Sequence, residues 1–308
     1  MGGESKGSNT AASSRLDIED FRKWTWNETI EVSHSFLTGT GYEELFNIGK
    51  RIRERYPHLL SVNGSYYFRP TSEQRTITSS IAFVHGLTDG TNLILPIDDV
   101  RERDDIIRPY ENCERYQVEV KGGQALVDEM NDYYNSEEFQ AVNEKLGGLP
   151  LKDLYENFEA VVQNNGSNIV SYFTHDTMLD MVFSALGVFK DDSPIRGARR
   201  DDNRLWKTSF LASFAVNFIA VLNSCQESGT QAYRVQFFIN EKETALCPLE
   251  GCTWQQFQEK FHPFTSSNLD FCSAEYDMNI EVSNGSGVIM FNSILLVMQV
   301  LILYLKFS

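Results

Sequence analysis

Basic residues are scarce in this chain. Its 27 lysines and arginines face 43 aspartates and glutamates, a formal net charge of −16. Such a field repels a phosphodiester backbone, which argues against nucleic acid as a partner. An anionic small molecule would need a local cluster of arginines set against the global charge. The sequence also lacks any cysteine and histidine spacing suited to a metal ion, and it shows no internal repeat. No metal and no cofactor is expected. Met1 to Ser14, rich in Gly, Ser, Asn and Ala, contains no apolar stretch that could serve as a signal-peptide core. Lys6 stands where a myristoylation signal wants Ser or Thr.

What is present is enough apolar residue for a large core: 42% hydrophobic and 12% aromatic over 308 residues. Val288 to Phe307 is nearly continuous apolar sequence, roughly the ~20 residues that span a bilayer. A hydrophobic helix addressing the chain to a membrane is expected there, by glycolipid anchor or transmembrane span; the alternative is a buried final helix. Asn-x-Ser/Thr sequons fall at Asn27, Asn63, Asn165 and Asn284. With the tail and five cysteines, Cys113, Cys225, Cys247, Cys252 and Cys272, they favour a secretory compartment where disulfides persist, at the cell surface or in the endoplasmic reticulum lumen. A secretory chain without a signal peptide implies that the start of the protein is missing from this sequence.

Along the chain, a flexible tail (1–15) precedes a first α/β segment (16–86). In it a helix pattern opens at Thr40 and stops at Tyr56-Pro57, a strand covers Ser65 to Arg69, and Pro70-Thr71-Ser72 supplies a turn and a cap for a second helix. Residues 87–160 are charged and mostly helical, which suggests an inserted helical subdomain. A second α/β segment (161–272) holds the β-rich run Asn168 to Thr174, a helix from Met178 to Leu186, and paired strands Ala215 to Leu222 and Tyr233 to Ile239 joined by a polar loop. A linker and the hydrophobic tail (273–308) follow. Helices alternating with strands predict an α/β/α sandwich.

In such sheets, ligand-binding groups gather at the carboxyl ends of strands. One strand end delivers Arg69, Thr71 and Arg75; another delivers Thr174, His175, Asp176 and Thr177. A guanidinium matches phosphate oxygens in a planar fork and stays charged. A histidine and an acid at a helix N-terminus add donors, a favourable dipole and a carboxyl able to protonate a leaving alkoxide. These are the parts of a phosphate-transfer site, although a His-Asp pair opening a helix also has a purely structural reading.

The stretch from Thr40-Gly41-Tyr42-Glu43-Glu44-Leu45 to Arg55-Tyr56-Pro57 resembles the first helix of branch-two histidine phosphatases. Phe68-Arg69-Pro70-Thr71-Ser72-Glu73-Gln74-Arg75-Thr76 is similar to their arginine-bearing strand and helix, which implies phosphate binding by Arg75. Tyr172-Phe173-Thr174-His175-Asp176-Thr177 resembles their second motif, which implies that His175 contacts the phosphoryl group and Asp176 donates the proton. Arg69 and Thr177 are further candidates for phosphate binding. Leu186-Gly187-Val188-Phe189-Lys190-Asp191 is similar to the multiple inositol polyphosphate phosphatases, although many animal members carry His-Ala-Glu where this chain has His-Asp-Thr. The resemblance covers roughly residues 18–272. It suggests a Cys247–Cys252 bridge; of the remaining cysteines, Cys113 is expected to pair with Cys272, leaving Cys225 free.

The family's Arg-His-Gly-x-Arg-x-Pro motif, with the nucleophilic histidine, is not in this chain: none of His34, His58, His85, His175 and His262 has Arg before it and Gly after it. The resemblance implies a phosphomonoesterase acting on inositol polyphosphates, phytate included, and on 2,3-bisphosphoglycerate, through a phosphohistidine. The other readings are a phosphate-binding pseudophosphatase without turnover and a broad-specificity acid phosphatase.

Overall fold

Thr38 accepts a hydrogen bond from the Gly41 amide and caps helix α1, Gly39–Arg55. Arg53 and Arg55 lie in its last turn, where the helix dipole favours cations, and Pro57 prevents its continuation. The computed structural model describes residues 22–23, 25, 35–121, 137–192, 201–248, 250–273 and 299–307. The expected tail over 1–15 lies outside them. Residues 1–36 form one unit and 37–308 another, and all the elements below belong to the second.

After α1 come strand β1 (Tyr66–Pro70) and helix α2 (Gln74–Thr88), then an irregular stretch with short helical turns at Pro109–Glu111 and Tyr116–Lys121. Helix α3 (Glu137–Val162), strand β2 (Ile169–His175) and helix α4 (Asp176–Ala185) follow. The short helix α5 (Thr208–Leu211) leads into β3 (Val216–Glu227), β4 (Thr230–Ile239), β5 (Lys242–Glu243) and β6 (Cys252–Thr253). Helix α6 (Trp254–Phe261) and strand β7 (Gln299–Phe307) complete the set. The sheet order is β1-β2-β7-β3-β4-β5, with β6 paired to β4. This is the expected α/β architecture.

Alternation along the strands divides the core between the two faces of the sheet. Phe68, Ile169, Phe173, Ile219, Val221 and Phe238 pack with Leu45, Ile48 and Ile52 of α1 and Phe83 and Leu87 of α2. Val170, Tyr172, Phe218, Ala220, Leu222 and Phe237 pack with α3, α4 and α6 on the other face. On the first face, α1 and α2 approach backbone to backbone. A methyl group on Gly49 would come within 2.2 Å of the Phe83 carbonyl oxygen, and one on Gly86 within 1.9 Å of the Phe46 carbonyl oxygen.

Three expectations need correction. Helix α2 is capped by Glu73 rather than by Ser72, and without a side-chain capping bond. The polar stretch 223–231 is mostly strand, because Ser228 and Gly229 both take positive φ (51° and 81°), the two-residue turn geometry that lets a hairpin continue to its tip. The hydrophobic C-terminal helix is replaced, over its described part, by β7. That strand lies between β2 and β3, antiparallel to the first with Gln299 opposite His175 and parallel to the second with Val300 opposite Val216. A continuous apolar run suits a strand between two neighbours as well as it suits a bilayer, and periodicity does not separate the two. Residues 274–298 lie outside the described part. Among the described residues no helix is long and apolar enough to cross a membrane.

The two expected disulfides are present, Cys113–Cys272 and Cys247–Cys252, with Cys225 free. The first closes a loop of 159 residues and fastens the irregular stretch after α2 to the segment following α6. Asn63 and Asn165 are exposed, while Asn27 and Asn284 lie outside the described residues.

Gly86→Ala should destabilise the fold by about 1–3 kcal/mol, as overpacking against a fixed backbone does. Gly39→Ala, whose methyl would meet nothing within 4 Å, should be neutral or slightly stabilising. Urea denaturation of both variants checks the contrast.

Candidate active site

Strand β2 is buried along its whole length and ends at His175, which is also the residue before the first turn of α4. Asp176 opens that helix, so its carboxylate sits where the helix dipole favours negative charge. On the neighbouring parallel strand β1, Pro70 ends the ladder opposite Phe173. The Thr71 amide then donates to the Phe173 carbonyl, carrying the chain across to His175. Arg75 is the second residue of the next helix, α2.

These residues meet. An Nη of Arg75 is 3.3 Å from His175 Nδ1, and Thr71 Oγ1 is 3.2 Å from His175 Nε2. Arginine can only donate, so Nδ1 is the acceptor and the ring proton resides on Nε2, directed to Thr71. The imidazole is neutral in this setting: burial, followed by the charges of Arg75 and Arg108, pushes His175 down to about 3. Asp176 shifts the opposite way. Its burial raises it from the ordinary aspartate value, against the Thr177 amide bonded to its Oδ1 at 2.9 Å and the nearby Arg75. A carboxyl raised in this way holds a proton at higher pH, which suits a donor to a leaving oxygen. Thr177 is therefore bound to the Asp176 carboxylate.

Arg69 occupies a different environment. It alternates with Phe68 on β1, so its side chain lies on the face opposite that of Phe68, and it is 1% exposed. Its Nε is 3.1 Å from Asp104 Oδ2, and its guanidinium stacks over the rings of Tyr67 and Tyr172. That arginine has no open side to offer a ligand. The strand-end rule says where a side chain falls along the sheet, and only the pleat says on which face.

Three residues at the site carried no local signal. Arg108 comes from the irregular stretch after α2. Its Nη2 is 3.0 Å from Glu73 Oε1, it also pairs with Glu111, and its Nη1 donates to Ser72 Oγ at 3.3 Å. Glu73 pairs with Arg75 as well, and its Oε1 is 3.6 Å from His175 Nε2. Asp180, one turn beyond Asp176, is raised to about 8 by burial and by the Asp176 charge, and its Oδ1 has no hydrogen-bond partner. Arg108 could not be read from its neighbours because the run that leads to it, Arg101 to Asp105, mixes acids and bases as an exposed loop would. Among the described residues, no cluster of His, Cys, Asp or Glu could hold a metal ion.

A histidine, an acid and two arginines meet near the end of β2, the set that a phosphatase of the histidine type would use. The sequence pattern of the histidine phosphatase superfamily (branch 2) matches residues 6–127. Multiple inositol polyphosphate phosphatase 1 of Drosophila melanogaster is 25% identical over 331 aligned residues, covering 82% of this chain and 69% of the relative. The protein of the same name from Gallus gallus is 19% identical, covering 70% and 66%, and an acid phosphatase of Schizosaccharomyces pombe is 24% identical, covering 74% and 64%. Among solved structures, the phytase from D. castellii superposes with a TM-score of 0.53 at 13% identity over 73% of this chain and 64% of its own, a likeness of fold. The resemblance to multiple inositol polyphosphate phosphatases read from the motifs is thereby shown. The chain spans about two thirds of the length of these curated relatives.

The Asp180 shift fixes a stability slope. The folded chain holds a proton there up to about pH 8, whereas the unfolded chain releases it near 3.8. Folded protein thus binds more protons between these values, and this group's contribution falls as pH rises through that window. His175, lowered from 6.5 to about 3, acts oppositely but only below 6.5. Between pH 6.5 and 8, the urea midpoint of the wild-type chain should therefore fall, and in Asp180→Asn it should fall less. Equal slopes in the two proteins would contradict this.

Proposed function

We propose that this chain carries the phosphate-holding and proton-donating part of a phosphomonoesterase site for inositol polyphosphates, with phytate and 2,3-bisphosphoglycerate as substrates. The observation that carries the reading is the Arg75 guanidinium seated on the neutral His175 imidazole, beside Asp176. Arg75 and His175 hold the phosphoryl oxygens. A nucleophilic imidazole from an Arg-His-Gly segment, which these 308 residues do not contain, attacks phosphorus as the P–O bond breaks. Asp176 passes its proton to the departing oxygen, giving the free hydroxyl. Its carboxylate then takes a proton from water, which cleaves the P–N bond and releases phosphate. Arginine charge neutralises the phosphoryl group, so the reading requires no metal or cofactor.

The test is phosphate release from phytate by the protein carrying that motif. Asp176→Asn should lower kcat by about 10²–10⁴-fold. An intact, folded enzyme that releases no phosphate from phytate would end the assignment. Faster release from a simple aryl monoester than from phytate would favour a broad acid phosphatase.

A second reading, phosphate binding without turnover, has its own support. None of the described histidines stands in an Arg-His-Gly segment, and His85 bonds Tyr42 at the far end of α2. Binding of inorganic phosphate by the 308-residue chain with no hydrolysis fits that reading.

The disulfides and the exposed sequons at Asn63 and Asn165 support a glycoprotein of the secretory pathway. Expressed through that pathway, the chain should gain mobility in a denaturing gel after glycosidase treatment. Asn63→Gln and Asn165→Gln together should reduce that shift.

A further inference from the structure

We propose that Glu73 is a resident competitor of the phosphoryl group, and that Arg108 is a second phosphate-binding arginine that holds this carboxylate until substrate displaces it. The inference rests on the reading of the Arg75–His175 cluster as a phosphoryl site and adds two residues to it.

Glu73 immediately precedes the first turn of α2, where a side chain commonly bonds the free amides. It makes no such bond. Its carboxylate turns to the cations instead: Oε2 pairs with Arg75, while Oε1 is 3.0 Å from Arg108 Nη2 and 3.6 Å from His175 Nε2. One carboxylate thus lies among the two guanidinium groups and the imidazole that would receive a phosphoryl group.

The match is incomplete, and the shortfall points to a larger anion. A carboxylate brings one negative charge to two guanidinium groups, whereas a phosphate monoester brings nearly two and three acceptor oxygens. Two donors at the site have no hydrogen-bond partner, Arg75 Nε and Arg108 Nε, and both are buried. Unmade bonds to buried charged groups are costly, and a tetrahedral anion with several oxygens can serve more of them than a planar one. Glu111, 44% exposed at the rim, also pairs with Arg108, and Ser72 Oγ accepts from it. Neither touches Arg75 or His175 among the bonds described, so Glu73 is the carboxylate that bridges the cluster. Displacement breaks no covalent bond, because the side chain can turn towards solvent while the backbone stays at the start of α2.

Titration calorimetry of the full 308-residue chain with inorganic phosphate tests both residues. Glu73→Gln, which keeps shape and removes charge, should tighten phosphate about tenfold, the scale of losing one charged competitor. Arg108→Ala should weaken it by a similar factor in the Glu73→Gln background, where the competitor no longer masks the effect. Arg108→Lys, with charge but no fork, should fall between, and far-ultraviolet circular dichroism verifies that each variant is folded. Unchanged or weaker binding by Glu73→Gln overturns the competitor role, and unchanged binding on removing Arg108 overturns the second arginine. If phosphate binds but Arg75→Ala and His175→Ala leave it untouched, the phosphoryl site is misplaced and the inference falls with it. Binding that needs Arg75 and His175 but ignores Glu73 and Arg108 removes this inference alone.

Discussion

The buried ion pair between Arg69 and Asp104 organises one side of the site without taking part in it. Asp104 accepts from the Ile106 and Ile107 amides through Oδ1 and faces Arg69 through Oδ2, so one carboxylate fixes both a turn and its place under the sheet. Thr174, on the same face of β2 as Tyr172, donates to the Ile107 carbonyl at 2.6 Å. The next residue is Arg108. An irregular segment with no ladder of its own is thus pinned at two points just before the residue that must reach across to Glu73. Removing one partner of a buried pair leaves an uncompensated charge, which typically costs about 3–5 kcal/mol. Both the stability of the sheet edge and the position of Arg108 depend on that pair.

This arrangement explains how an acidic protein presents a cationic pocket. The global charge is −16, yet Arg75 and Arg108 converge within reach of one another at the end of β2. Burial, followed by their charge, depresses His175, and carboxylates placed beside them, Glu73 and Glu111, offset that charge. Like charges held together and desolvated favour an anion between them. Burial acts on the acids of the helix following β2 as well: Asp176 is raised, and Asp180 is raised to about 8. Cation and proton donor are thus prepared by the same exclusion of water.

Several elements were legible because their signals are local. The first helix is marked by the pattern opening at Thr40 and by Pro57, the strand ahead of Arg75 by alternation, and the His175-Asp176 junction by a β-rich run passing into helical spacing. The site's far half was not legible. Arg69 and Arg75 look equivalent as arginines six residues apart, yet one is sealed over Tyr172 and the other faces His175. The apolar C-terminal run had a spanning helix as its leading reading, and its described part pairs with β2 and β3 instead. Composition reports how apolar a segment is, whereas the neighbour that covers it is a property of the assembled sheet.

The sequence by itself determined the α/β character, the motif resemblance to histidine phosphatases and the candidacy of Arg75, His175 and Asp176, since each depends on residue type and short-range spacing. Tertiary structure alone decided which arginines face the imidazole, which acids are buried enough to hold a proton, and that Glu73 lies among the cations. Those outcomes depend on contacts across 35 residues from Glu73 to Arg108 and 100 residues from Arg75 to His175. Pleat, burial and charge act there through space, and no local pattern encodes them.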